Sequence, residues 1–439
     1  MVSISTSCFI VDLLSFSNRI HRLGSDRRIT GAVTSFRSSP FNRVSHAFHQ
    51  SHFRRTAPVW RPQRSTQRNA RSPTAIGAVT VGSTPDQSAW RKGCFVDAYH
   101  RPAGIIWDIT YACPLRCFHC YSESGRRKAM HPTREQLFRM TDAFISLRPQ
   151  EVAIAGGEPL LVDGLFDVAE RISRAGISVI LYTSGALMDE DKARESLRHF
   201  RTVSVSMDGA TPEVHNRVRG RARAFERGMA ALEILDETSR QLKTEGTAPA
   251  TLGIEVSIMR SNLHQVEDFC TKIAPRFPEL RHLVYTVTMP AGLANRAGFV
   301  EHELLGDKES QRLLGPEYLA RLRGLAPAGL DIRLDDHWRD MIHPDDVAGG
   351  RVMPIMHVRP DGGVHAMPIY EGTVGSVLDE PPLTVWERAV ARWSDPFVVR
   401  TLGPVRTMRQ WAEAARAIDY HFADADDRAR IDRRPAFQP

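Results

Sequence analysis

The chain has 439 residues, of which 42% are hydrophobic and 25% are charged, as in an ordinary soluble globular protein with a sizeable core. Its net charge of +7 is uneven: residues 1–85 contain twelve Arg and two acidic residues, a local net of +10, so the remainder carries −3. The positive total therefore gives no reason to expect nucleic-acid binding. No apolar run reaches the roughly 18 residues that cross a bilayer, and we expect a cytoplasmic protein without a membrane partner.

Residues 1–95 are rich in Ser, Arg, Pro and His and have little periodicity, which predicts a disordered basic leader. Three interpretations of it stay open. It could be a tail that binds an acidic partner, or an Arg- and Ser-rich transit peptide. It could also be sequence upstream of a true start near Val79 or Val81. None of the three supplies catalytic residues.

From Ile105 onward, strand and helix patterns alternate. The predicted strands are 105–112, 151–155, 178–183, 202–207, 252–259 and 282–289, and the predicted helices are 133–147, 165–175, 189–198, 222–242 and 264–273. The first helix begins with a capping box, in which Thr133 is the cap and Gln136 occupies the third helical position. The alternation predicts an α/β fold, a partial (β/α)6 TIM-like barrel over residues 100–300. In such barrels functional residues collect where the strands end.

Three cysteines, Cys113, Cys117 and Cys120, follow the first predicted strand with the spacing C-x-x-x-C-x-x-C. The other three are scattered, which indicates a metal site in a reducing compartment and not a disulfide framework: Cys8, Cys94 and Cys270. Three thiolates can hold a [4Fe–4S] cluster and leave one iron open. A zinc knuckle is the alternative, although it ordinarily needs four ligands and the sequence has no second Cys pair.

The run CPLRCFHCY at 113–121 resembles the signature loop of the radical S-adenosylmethionine (SAM) superfamily, and GGEP at 156–159 resembles that family's second motif. The resemblance covers residues 105–294. It implies one [4Fe–4S] cluster bound by the three cysteines, and SAM as cofactor. It also implies cofactor contacts at positions that follow the strands: Gly156, Gly157, Glu158, Pro159, Ser184, Ser206, Asp208, Arg219 and Asn262.

The resemblance further implies a mechanism. The amine and carboxylate of SAM would chelate the open iron, and one electron would release a 5′-deoxyadenosyl radical that abstracts a substrate hydrogen. That electron implies a donor such as flavodoxin or ferredoxin. Glu255 shares a face of the fifth strand with Ser257, so it is a candidate catalytic residue if that face points into the barrel. The alternative is that Glu255 only closes the packed interior.

Residues 351–395 resemble the SPASM- or twitch-like extension of many peptide- and sugar-modifying members, in which Cys residues hold auxiliary clusters. Here Met353, Met356 and Met367 stand at the expected places, and no Cys follows Cys270. The departure predicts a single cluster and favours redox-neutral chemistry. We expect linker helices over 301–350 and a helical tail over 396–439.

These features predict a radical SAM enzyme of natural-product or antibiotic biosynthesis that acts on a sugar- or nucleoside-like small molecule. The specific hypothesis is a lyase, a sugar-acid decarboxylase such as a cytosylglucuronate decarboxylase. One alternative is a maturase that modifies ribosomally made peptides. Another is a non-catalytic Fe–S sensor, but GGEP argues against it because a sensor needs no cofactor cradle.

Overall fold

Ten strands of one sheet organise residues 99–438, the part of the chain that this computed structural model describes. The predictions for residues 1–95 lie outside the described residues. The strands are β1 (Gly104–Thr110), β2 (Glu151–Gly156), β3 (Ser178–Thr183), β4 (Thr202–Ser206), β5 (Thr251–Ile258), β6 (Leu280–Val287), β7 (Asp331–Asp335), β8 (Ile355–Val358), β9 (Gly363–His365) and β10 (Thr373–Ser376). Their order in the sheet is β10-β9-β8-β1-β2-β3-β4-β5-β6-β7.

The strands from β8 through β1 to β7 are parallel, and only the β8–β9 and β9–β10 pairs are antiparallel. Strands β1 to β6 are the six that the sequence predicts, so the α/β fold with a parallel partial barrel is confirmed. Two further parallel strands extend it, with β7 beside β6 and β8 beside β1. The sheet is open, since β10 and β7 are its two edges.

Helices connect the parallel strands and cover the sheet. They are α1 (Arg134–Leu147), α2 (Leu165–Arg174), α3 (Glu190–His199), α4 (Pro212–Arg219), α5 (Ala224–Thr244), α6 (Val266–Asp268), α7 (Phe299–His302), α8 (Asp307–Leu314), α9 (Pro316–Leu325), α10 (Pro344–Ala348), α11 (Pro382–Arg392), α12 (Pro396–Leu402), α13 (Met408–Phe422) and α14 (Ala425–Asp432). No helix among residues 99–438 is long and apolar enough to cross a membrane.

The start of α1 confirms the predicted capping box: the Gln136 N–H donates to the Thr133 hydroxyl, and the Thr133 N–H donates to the Gln136 side chain. Two orphan donors at the helix start are thereby satisfied. The Phe144 ring of α1 packs edge-on against the Trp107 ring of β1, with centroids 5.0 Å apart. Trp107 therefore points toward the helices, and the next residue, Asp108, points to the inner face of the sheet because side chains alternate along a strand.

The helix predicted over 264–273 is not one regular helix. The chain there forms a 3-10 turn (Leu263–Gln265), the short α6, a π-helical turn (Phe269–Ile273) and another 3-10 turn (Ala274–Arg276). Pro275 gives the physical reason, since it lacks the N–H that would continue the helix and its ring clashes with the preceding turn.

Candidate active site

The three motif cysteines line one small cavity of about 40 Å³ at the carboxyl end of β1, together with Gly156, Gly157, Ser184 and Arg219. All three are free thiols. Backbone hydrogen bonds fix the shape of the loop that carries them: the Arg116 N–H donates to the Arg219 carbonyl (3.0 Å), and the Phe118 N–H donates to the Val218 carbonyl (3.1 Å). The loop is thus built against the last turn of α4.

Burial raises the pKa of each of the three thiols; the pKa of Cys117 lies at about 11 although Arg219 opposes the shift. Buried thiols lose protons readily only when a cation compensates the thiolate charge, and iron in a cluster does so. Among residues 99–438, no three or more His, Cys, Asp or Glu side chains are arranged so that they could together hold one metal ion. A cubane does not need such a cage, since each thiolate binds a different iron. The donor set fits a [4Fe–4S] cluster.

Gly156 and Gly157 lie directly against the backbone that precedes Cys113. Gly156 has φ of 105°, and a Cβ there would come within 2.6 Å of the Thr110 carbonyl oxygen. A Cβ on Gly157 would collide with the Ala112 carbonyl group. The Gly157 N–H donates to the Thr110 carbonyl at 2.6 Å. Only glycine permits this close approach of two backbones, which forms one wall of the Cys cavity.

Glu158 is fully buried and joins the ends of β2 and β3. Its carboxylate accepts hydrogen bonds from the Thr183 hydroxyl (2.7 Å), the Ser184 N–H (2.9 Å) and the Ser184 hydroxyl. Burial raises the pKa of Glu158, while the donors on Ser184 and Thr183 hold it down. Pro159 is buried and follows as the first residue of the 3-10 turn Pro159–Leu161. The Glu158 carboxylate, which Thr183 and Ser184 at the end of β3 orient, thus lies directly after Gly156 and Gly157 in the sequence.

Asp208, Arg219 and His119 form a buried group beside the cysteines. Arg219 Nε lies 2.8 Å from Asp208 Oδ2, and Arg219 Nη1 donates to Cys117 Sγ at 3.8 Å. The Ser257 N–H donates to the other oxygen of Asp208 at 2.9 Å. His119 Nε2 is 3.5 Å from Asp208 Oδ2, and burial lowers the pKa of His119 to about 4, so its imidazole is neutral at pH 7.

The remaining predicted residues do not line the Cys cavity. Asn262 donates to the carbonyls of Asp208 (2.9 Å) and Ser257 (2.7 Å) and accepts from the Met259 N–H (2.8 Å), so its amide braces the loop after β5. Ser206 faces Glu255 in the register of β4 and β5. Glu255 is buried on the inner face, where it accepts a long hydrogen bond (3.4 Å) from the Ser204 hydroxyl. Direct cofactor contact by Ser206 and Asn262 stays a prediction, as does catalysis by Glu255.

Sequence reasoning missed several residues that shape the site. His215 Nδ1 accepts a hydrogen bond from the Asp208 N–H at 3.1 Å. Phe437, near the end of the chain, packs on Phe118 within the Cys loop, with ring centroids 5.3 Å apart. Glu123 forms ion pairs with Arg430 and Arg434. The position of His215, seven residues after Asp208, was a weak local signal of their hydrogen bond. The contacts of Phe437, Arg430 and Arg434 join residues more than 300 positions apart, and no local sequence pattern predicts them.

Residues 107–245 match the family model described as the Radical SAM superfamily. These residues form a radical SAM domain. The matched range contains the Cys loop, GGEP and the Asp208–Arg219 pair. Members of the family use a [4Fe–4S] cluster and SAM, in agreement with the donor set of the Cys cavity.

Two relatives and one solved structure extend the comparison. The chain is 27% identical over 307 residues to the AdoMet-dependent heme synthase of Methanosarcina barkeri, which covers 66% of this chain and 83% of that protein. It is 29% identical over 214 residues to the mycofactocin maturase MftC of Mycolicibacterium smegmatis, which covers 48% of this chain and 50% of the maturase. The chain thus spans half the length of this maturase.

The solved structure is Streptococcus suis SuiB bound to the precursor peptide SuiA. It superposes with a TM-score of 0.51 at 13% identity and covers 71% of this chain and 69% of SuiB. At that identity the likeness supports the fold only.

Proposed function

We propose that this radical SAM enzyme modifies a peptide. The observation that carries the proposal is the similarity to mycofactocin maturase, at 29% identity over 214 residues. A protein of the same fold has been seen with a precursor peptide. The relatives thus favour the maturase alternative over the sugar- or nucleoside-like substrate that the sequence analysis preferred.

A small-molecule acid substrate, with decarboxylation as the reaction, is the second candidate. The heme synthase relative favours it, because that match covers most of both chains and heme is a small molecule. The similarity does not name a sugar acid. The antibiotic and lyase assignments of the sequence analysis therefore belong to this second candidate.

When bound, the cluster and SAM supply a 5′-deoxyadenosyl radical that abstracts a hydrogen atom from the substrate. In our proposal, Cys113, Cys117 and Cys120 hold the cluster, and the backbone at Gly156–Gly157 lies open to the SAM methionyl group. Glu158, oriented by Thr183 and Ser184, accepts from its amine. A positively charged Arg219 beside Cys117 favours the thiolate.

We further propose a redox-neutral reaction in the cytoplasm. The C-terminal strands β8 and β9, to which an auxiliary cluster would be expected to attach, present Met356, His357 and His365, and Met367 follows them. Cys270, the remaining cysteine among residues 99–438, is buried beneath β6 with its Sγ 3.4 Å from the Tyr285 hydroxyl. Nothing in the described chain offers a second thiolate site for a cluster that would accept the substrate electron.

The test is deuterium transfer. Anaerobically reconstituted enzyme is incubated with SAM, dithionite and one candidate substrate at a time, and 5′-deoxyadenosine is analysed by mass spectrometry. The peptide candidates are short peptides encoded beside the gene and synthesised with deuterated residues. Deuterated cytosylglucuronate represents the second candidate. A variant in which all three motif cysteines are replaced by Ala is the control.

Deuterium in 5′-deoxyadenosine from a peptide supports the proposal. Deuterium from cytosylglucuronate alone overturns it in favour of the decarboxylase. If 5′-deoxyadenosine fails to form although the cluster is intact, the Fe–S sensor alternative replaces both.

A further inference from the structure

The chain that follows β6 supports the Cys loop from outside the thiol cavity. It forms a 3-10 turn, Gly292–Asn295, and then Arg296. The Leu293 N–H donates to the Cys120 carbonyl at 3.0 Å, and Arg296 Nη1 donates to the Phe118 carbonyl at 2.6 Å. The cavity that contains the three thiols is lined by other residues. The turn therefore fixes the backbone of the loop at two carbonyls and leaves the cavity free.

A cluster of three aromatic rings packs against the Arg296 side chain. Phe118 of the Cys loop, Phe299 of α7 and Phe437 contact one another, with ring centroids between 5.2 and 5.9 Å apart. The guanidinium carbon of Arg296 lies 5.6 Å from the Phe299 centroid and 5.2 Å from the Phe437 centroid. Aromatic faces attract a cation, and they do so more strongly where water is excluded. The rings thus hold the guanidinium against the Cys loop.

Arg296 is a half-buried cation whose charge is not compensated within residues 99–438. No carboxylate of this range lies within ion-pair distance of it, and its buried Nε finds no hydrogen-bond acceptor there. Burial, together with the like charges of Arg126 and Arg434, lowers the pKa of Arg296 to about 10, so the side chain is still a cation at pH 7. Arg219, on the thiol side of the loop, differs because Asp208 compensates its charge.

We propose that Arg296 is a positioning residue whose charge makes the [4Fe–4S] cluster easier to reduce. Its hydrogen bond ends on the carbonyl of Phe118, which directly follows Cys117, a ligand of the cluster. Uptake of one electron makes the cluster more negative by one charge, so a nearby cation stabilises the reduced form more than the oxidised form. The aromatic rings strengthen the effect, because they replace water that would screen the charge.

The alternative is that Arg296 only braces the loop, through the same hydrogen bond to the Phe118 carbonyl. The two roles require different properties of the side chain at position 296: bracing requires a hydrogen-bond donor, whereas easier reduction requires a positive charge. Easier reduction leaves a larger fraction of the enzyme ready for SAM cleavage. Every candidate function of this chain uses the cluster, so the inference does not depend on the substrate.

The test measures the reduction potential of the cluster in the parent, Arg296→Lys and Arg296→Gln. Each reconstituted protein is titrated anaerobically with dithionite in the absence of SAM, and the reduced cluster is followed by EPR. Dithionite is oxidised, the cluster gains one electron, and no bond in the protein forms or breaks. Lys keeps the charge and loses the planar fork of donors, whereas Gln keeps a donor and loses the charge. Arg312→Gln is the matched control, since it removes the same charge at an exposed position of α8.

At a fixed potential, we expect the ratio of reduced to oxidised cluster to fall on the order of tenfold in Arg296→Gln, which is about 59 mV for one electron. Arg296→Lys and the control should stay close to the parent. A midpoint in Arg296→Gln equal to that of the parent would overturn the proposal. Equal shifts in the Gln and Lys variants would also overturn it, since Arg296 would then act only through its hydrogen bonds.

EPR detects only chains that carry a reduced cluster, so a lower iron content in Arg296→Gln leaves its midpoint measurable. If that variant does not fold, Phe437→Leu decides the question, because it keeps the cation and admits water beside it. Its potential should shift in the same direction by a smaller amount, and an unchanged potential would overturn the proposal. No substrate is present, so a failure here is separate from a failure of the proposed function.

Discussion

Arg219 and Asp208 form a buried ion pair, with Nε 2.8 Å from Oδ2 and side chains that are 5% and 0% exposed. The pair connects the last residue of α4 to the segment that follows β4, and Arg219 also reaches Cys117. Burial opposes the charge on Arg219, but Asp208 and Cys117 more than offset it and raise the Arg219 pKa above its usual value. The positive charge of Arg219 beside the Cys loop is thus compensated by the carboxylate of Asp208.

Replacing Asp208 with Asn should therefore destabilise the cluster-free protein by about 3–5 kcal/mol, since Arg219 would remain buried without its partner charge. The control is Asp142→Asn, which breaks the exposed Arg171–Asp142 pair and should cost less than about 1 kcal/mol. Urea unfolding under anaerobic conditions measures both. Equal costs for the two substitutions would show that the buried pair has no special weight.

Gly157→Ala should damage the cofactor site, because the new Cβ collides with the Ala112 carbonyl group just before Cys113. We expect a cost of about 1–3 kcal/mol from overpacking and a severalfold loss of iron bound per chain after reconstitution. Gly324→Ala is the control, since a Cβ there meets nothing within 4 Å in helix α9 and should be neutral or stabilising. Full iron content in Gly157→Ala would contradict the close approach of GGEP to the Cys loop.

Phe437 connects the end of the described chain to the Cys loop. Its buried ring packs on Phe118 and on Phe299, with centroids 5.3 Å and 5.2 Å away. Phe437→Ala should cost about 3–5 kcal/mol, and it should speed the loss of the cluster to a chelator, because Phe118 is the neighbour of Cys117. Tyr420→Ala, at a side chain that is 47% exposed, is the control. A destabilised variant that loses its cluster at the parental rate would refute the link to the loop.

The stability of the C-terminal segment should depend on pH through Glu371. Burial and the neighbouring Asp419 raise the pKa of Glu371 to about 7, although Arg434 opposes the shift. A carboxyl whose pKa is raised in the folded state stabilises fully below its unfolded value, near 4.5, and loses that contribution as pH rises to about 7.

The parent should therefore lose stability relative to Glu371→Gln between pH 4.5 and about 7, and the difference should then stay constant. The urea unfolding midpoints of both proteins, measured at intervals across this pH range, give the difference in stability. Glu371→Gln also leaves Arg430 and Arg434 without the Glu371 carboxylate, and that cost adds a constant amount to the difference at every pH. A difference that grows in favour of the parent as pH rises would show that the arginines hold Glu371 ionised instead.

The sequence by itself was sufficient to predict the six strands β1 to β6 and the capping box of α1, and to identify the cysteine and GGEP motifs. These features are local: alternation of strand and helix patterns, a cap three residues from its partner, and ligands within eight positions. The strand order then places the motifs together, because parallel strands bring their carboxyl ends to one edge. The helix predicted over 264–273 failed because Pro275, just beyond it, interrupts the helical pattern.

Only the tertiary structure determined what surrounds that site. Strand β8 pairs with β1, which places His357 Nε2 3.2 Å from Asp108 Oδ2 across 249 positions of sequence. The ion pairs of Arg430 and Arg434 with Glu123 connect the C-terminal segment to the Cys loop in the same way. Periodicity and spacing report which face of its own element a residue occupies. They carry no information about which distant charge compensates it, because that depends on how the completed elements pack and exclude water.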